Sequence, residues 1–138
     1  MARIERLLIG DQASVENARY FMPLKLATKF DPQPPKAGCA HQAGFRFAEI
    51  WLDQAVLSNW QAVAEYLRGY PLGYALHFPN RLNLAPDALE HTVALYRQLD
   101  CRCLVIHQPM YDKFSESLLA LDAQIRLSVE NQIGRAHV

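Results

Sequence analysis

Two short apolar runs in the second half of the chain each stop on a side chain that can ligate a metal ion: CRCLVIH ends at His107 and IRLSVE ends at Glu130. A third run, GYALH, ends the same way at His77, and a fourth, FRFAEIWL, carries Glu49 among bulky apolar neighbours. Imidazole nitrogen combined with carboxylate oxygen suits zinc, manganese or a similar divalent ion, whereas magnesium asks for mostly oxygen. A carboxylate inside a strand such as that of Glu49 needs a partner or a water-filled cavity. The partner is either an Arg or Lys in a buried ion pair or a group of a functional site, because perturbed carboxylates occur in both. A lone histidine at a strand end is usually a hydrogen-bonded structural residue. His77 and His107 differ in that both hold the strand-end position that Glu130 also holds.

These side chains can act together only if the chain sets them side by side. The apolar runs are near-continuous and β-prone, as expected of strands buried on both faces of a parallel sheet. They predict strands over residues 24–30, 45–52, 73–77, 103–107 and 125–130. Three prolines over 31–35 rule out regular structure after the first strand. A short helix over 36–42 ends at Gly44. A helix over 58–69 has a capping box from Ser58 and Gln61, an inner face of Trp60, Val63, Ala64 and Leu67, and a stop at Gly69 and Pro71. Another opens at Pro86, with Asp87 and Glu90 in its first turn, packs through Leu89, Val93 and Tyr96, and runs to Leu99. Residues 115–124 make the last helix. Strand and helix thus alternate from Leu24 onward, which predicts a parallel sheet with right-handed crossovers and reactive groups at the C-terminal strand ends.

Residues 1–23 form an N-terminal extension with an apolar cluster of Ile4, Leu7, Leu8 and Ile9 and a helix capped by Ser14 and running through Tyr20. No function attaches to it. With 138 residues, 51% of them hydrophobic, the chain is one domain or part of a larger one, with enough apolar surface for a core. Fourteen Lys and Arg against fourteen Asp and Glu give a net charge of +0, which favours neither nucleic acid nor an anionic membrane as partner. No stretch is apolar enough to span a bilayer and the basic N-terminus lacks a secretory core, so the expected location is cytoplasmic. Three cysteines are an odd count for a disulfide framework; Cys101 and Cys103 read as a buried, reduced pair on one strand face. His91 reads as a solvated helix residue. The last residues read as a scar: ATC GGA AGA GCA CAC GTC and a TGA stop, the start of a short-read sequencing adapter, encode residues 133–138, and Gln132 as CAG supplies the preceding AG. That places the partial domain at 24–132 and excludes 133–138, including His137, from functional reasoning.

In this order and spacing, GFRFAEIWLD, ALHFPN, CLVIHQP and LSVEN resemble the xylose isomerase-like TIM-barrel superfamily, which includes sugar phosphate isomerases and epimerases and endonuclease IV-type nucleases. The telling parts are the strands ending in His-x-Pro, in Val-Ile-His and in Val-Glu-Asn. The resemblance covers Leu24 to Asn131 and implies the N-terminal half of a (β/α)8 barrel, parallel strands one to five, truncated. In the isomerase and epimerase branch the residue matching Glu130 is both a ligand of a catalytic divalent metal (Mn, Zn, Co or Mg) and a carboxylate that moves a proton next to a carbonyl. Glu49, His77 and His107 would line the pocket for a small sugar or sugar phosphate. In the nuclease branch the residues matching His77 and His107 bind zinc and that matching Glu130 bridges two zinc ions.

The chemistry is coherent, because enolising a sugar needs a Lewis acid on the carbonyl and a positioned carboxylate for the proton. The family's remaining ligands, an Asp, a His and a Glu from later strands, have no counterpart here. This chain is therefore expected to be inactive and loosely packed, with Val105 and Val129 as barrel-interior side chains lacking facing partners. The rival readings are a DNA repair nuclease, which the balanced charge counts against, and an α/β binding domain without chemistry.

Overall fold

The computed structural model describes residues 3–7 and 25–130. The helix expected over 14–20 and the run 131–138 lie outside the described residues. Six strands form one sheet in chain order: β1 (Arg3–Leu7), β2 (Lys25–Phe30), β3 (Phe47–Trp51), β4 (Gly73–His77), β5 (Leu104–His107) and β6 (Leu127–Glu130). β2 to β6 are all parallel, as the alternation of strand and helix requires. β1 is antiparallel to β2 and falls in the stretch where no strand is predicted. Its five residues, RIERL, carry only two apolar side chains, three positions apart, and so lack the alternation that marks a strand.

The crossovers are α1 (Lys36–Gln42), α2 (Gln54–Ser58), α3 (Trp60–Arg68), α4 (Ala88–Gln98) and α5 (Gln108–Leu121). Gly44, at φ 91°, accepts the left-handed conformation that ends α1. The helix predicted over 58–69 is two helices. Asp53, not Ser58, is the cap that counts: its Oδ1 accepts from Val56 N at 2.8 Å, and Ser58 is the last residue of α2. Asn59 breaks the run before Trp60 without capping it. α4 begins at Ala88, two residues after Pro86. α5 begins at Gln108, directly after β5, with Pro109 in its first turn, and so starts well before residue 115.

Consecutive strands are also neighbours, so each right-handed crossover steps the same way and leaves the helices on one face of the sheet. The core lies there. Ile50, Leu76, Leu104 and Ile106 from the strands meet Leu57, Leu67, Leu95 and Leu118 from the helices, all fully buried. Tyr74, on the same side, donates its hydroxyl to Leu67 O at 2.6 Å. The register sets what faces the other way. Lys29 pairs with Glu49, Trp51 with His77, His77 with Val105, and His107 with Glu130. With side chains alternating along each strand, this register puts Lys29, Glu49, His77, His107 and Glu130 on one face.

The register also corrects one expectation. Val105 lies opposite Ser128, so Val129, opposite Ile106, is on the helix-bearing face and not beside Val105. Gly73 has a steric reason on the open face, since a Cβ there would stand 2.9 Å from the Phe47 ring. Cys101 and Cys103 precede β5 and are free thiols, the first buried and the second half-buried; burial pushes both thiols up. His91, on α4, is half-buried with its Nε2 3.7 Å from Asp87 Oδ2.

Candidate metal centre

Each of five consecutive strands delivers one side chain to a connected polar group. Lys29 Nζ on β2 lies 2.8 Å from Glu49 Oε2 on β3. The same oxygen faces His77 Nδ1 on β4 at 3.1 Å. The other ring nitrogen of His77 stands 3.4 Å from Glu130 Oε2 on β6, and His107 Nε2 on β5 stands 3.3 Å from that oxygen. The two imidazoles stack with centroids 5.0 Å apart and planes inclined by 25°. All four residues singled out in the sequence, Glu49, His77, His107 and Glu130, therefore come together.

Within this array, ligand atoms of His77, His107 and Glu130 all lie within 4.8 Å of one another. The strand ends explain the spacing: His107 and Glu130 share a register level, and His77 is the last residue of the next strand along. Both histidines are buried, so their rings are held by packing rather than by solvent. Burial pushes His77 down from 6.5 to about 4, and the Lys29 charge pushes the same way, so the ring is neutral at physiological pH. A neutral ring offers one lone pair. Glu49 and Glu130, which as carboxylates only accept, stand at its two nitrogens, 3.1 Å from Nδ1 and 3.4 Å from Nε2.

Lys29 is the member that sequence reasoning missed. It is 5% exposed, and a buried ammonium requires a counter-charge, which Glu49 provides. The signal was available in KLATKF, where a lysine sits one residue short of a strand end, but lysine at such a place ordinarily reads as a solvated terminus. Of the two readings of Glu49, ion pair or site group, the structure shows the ion pair. Its ion pair is with Lys29 and its other neighbour is a site histidine.

A cleft of about 390 Å³ opens over the two histidines, lined also by Asp31, Trp51, Leu52, Asp53, Phe78 and Asn80. Trp51, 40% exposed, presents its ring there with Lys29 Nζ 5.5 Å from the ring centroid. Asp31 is held by Lys36, whose ammonium keeps that carboxyl below its usual range. A larger cleft of about 910 Å³ lies at the opposite, N-terminal ends of β5 and β6, between Arg97, Arg102 and Arg126. It contains no ligand-forming cluster among the described residues, and its Arg97 is tied to Asp122 at 2.8 Å.

Compared with protein-family models, with curated proteins and with solved structures, the chain matches none. The resemblance to the xylose isomerase-like superfamily thus rests on the four strand-end motifs. Among the described residues no helix is long and apolar enough to cross a membrane.

Proposed function

We propose that β2 to β6 are the first strands of a (β/α)8 barrel and that their C-terminal ends form a divalent-metal centre for isomerising or epimerising a small sugar or sugar phosphate. The observation that carries this reading is the convergence of His77, His107 and Glu130 from three consecutive parallel strands. A flat binding domain has no need to bury two stacked imidazoles against a carboxylate. The chain order of the strands, the helices on one face and the polar groups on the other support the barrel. β1 holds the edge of β2 that barrel closure would give to the last strand, so the reading requires β1 to yield that edge.

The residues fit a metal. Two imidazole nitrogens and a carboxylate oxygen lie within 4.8 Å of one another, and the mixed donor set suits zinc, manganese or cobalt better than magnesium. A divalent ion there would polarise a carbonyl oxygen and acidify the neighbouring C–H. The chain's own groups supply the rest. Glu130, a third exposed and adjoining both histidines that line the cleft, is placed to take a proton from carbon and return it. Trp51 and Phe78 give the cleft apolar walls that orient a sugar ring and limit water. The nuclease reading gains little support, because no Lys or Arg lines the cleft and Asp31 and Asp53 do.

The test is deuterium exchange at the carbon next to the carbonyl of ketoses and ketose phosphates, followed by NMR with Mn²⁺, Co²⁺ or Zn²⁺. Exchange needs only the metal set and Glu130, whereas complete epimerisation draws on family ligands that have no counterpart in this chain. Metal-dependent exchange lost in Glu130→Gln is the expected result. No exchange by a chain shown to hold metal contradicts the proposal.

A further inference from the structure

We propose that Lys29 and Glu49 form a positioning pair that fixes the His77 ring with its Nδ1 protonated and its Nε2 lone pair aimed at His107 and Glu130. The inference rests on the metal-centre reading and extends it to two residues that are not ligands. Glu49 lies on the same sheet face as the three ligand-forming residues but outside their cluster. Its register partner on β4 is Ala75, one side-chain level below His77, so the carboxylate reaches up past a methyl group to the ring. The small side chain at 75 leaves that path open.

Hydrogen-bond chemistry gives the direction. An ammonium only donates and a carboxylate only accepts. Glu49 Oε2 stands 2.8 Å from Lys29 Nζ and 3.1 Å from His77 Nδ1, within ion-pair reach of both, although neither contact has the alignment of a hydrogen bond. Glu130, an acceptor too, stands 3.4 Å from Nε2, and the closer approach of Glu49 to Nδ1 favours the tautomer whose free lone pair is on Nε2. A carboxylate behind a ligating histidine fixes ring and tautomer in metal sites generally. Lys29 adds a second constraint. It is buried, is matched to Glu49 in register, and neutralises a charge that would otherwise turn toward a cation in the cluster. Lys29 thereby keeps Glu49 behind the histidine and out of the ligand set.

The experiment reads the tautomer directly, by long-range ¹H–¹⁵N NMR of the metal-free full chain at pH 7.5, and Zn²⁺ affinity by competition with a chromophoric chelator. In the wild type, His77 should be the Nδ1–H tautomer. Glu49→Gln, whose amide can present an N–H to the ring, should shift the population toward Nε2–H and weaken Zn²⁺ binding by about 10- to 100-fold. Lys29→Met should give a mixture of tautomers. An Nε2–H tautomer in the wild type overturns the proposal, as do variants that lower the melting temperature while leaving tautomer and Zn²⁺ affinity unchanged. If the variants fail to fold, the wild-type tautomer decides. If the wild type takes up no Zn²⁺, the metal-centre reading fails, while the tautomer still decides whether Glu49 positions the ring.

Discussion

The His77 ring has a carboxylate at each nitrogen, Glu49 on one side and Glu130 on the other, yet it is held neutral. Burial outweighs the attraction of Glu130, and the ammonium of Lys29 adds to burial. This has a consequence for pH. The folded chain holds the His77 pKa at about 4, below its ordinary 6.5, so as the pH falls the unfolded chain takes up the proton first. The stabilisation is complete above pH 6.5 and is lost as the pH falls toward 4. Urea unfolding of the metal-free protein in chelator should therefore show a stability loss of a few kcal/mol over this range. In His77→Gln the slope between pH 6.5 and 5, above the carboxylate range, should largely vanish. An unchanged slope would mean that the ring is not buried in its neutral form. The four site residues named from sequence were legible because each stands at or near the end of an apolar run, where a polar side chain is out of place. Lys29 was not, because its meaning depends on the register between β2 and β3, which no local pattern carries.

At the level of elements, the five expected strands follow from near-continuous apolar runs, and their positions hold to within two residues. Helix starts were harder to read. The sequence offers Ser58 as the cap before Trp60, but where β3 ends moves it: Asp53, two residues past Trp51, catches the chain as it leaves the sheet. Asp53→Ala should accordingly destabilise the fold by about 1 kcal/mol, and Ser58→Ala should cost a few tenths at most. Chemical denaturation of both variants checks this, and equal effects would restore the capping box that the sequence suggests. α5 was also placed too late, because QPMYDKF carries few helix-favouring signals. Its start is fixed by Pro109 and by the extended backbone of His107, which is strand residue and helix cap at once. That coincidence bears on the site, since the ring of His107 is anchored by two elements.

For the molecule as a whole, a sheet built strand after strand gives one face to the core and gathers Lys29, Glu49, His77, His107 and Glu130 on the other. Such a sheet also has edges. β1 covers that of β2, whereas no strand among the described residues pairs with the outer edge of β6, where Val129 is 39% exposed. The purified chain should self-associate through this edge. Light scattering should show association that rises with concentration and is reduced by Val129→Lys, a substitution of the kind that blocks edge pairing; a strictly monomeric wild type would argue that the edge is covered. The proposed ion site draws its ligands from three consecutive strands, His77, His107 and Glu130. Equilibrium dialysis against Zn²⁺ tests it most directly, in a Cys39→Ser background because Cys39 is an exposed thiol. One ion per chain is expected, with binding weakened at least about tenfold by His107→Ala or Glu130→Gln and unaffected by Glu116→Gln on the exposed side of α5. No uptake, or uptake that these site substitutions leave unchanged, would contradict it.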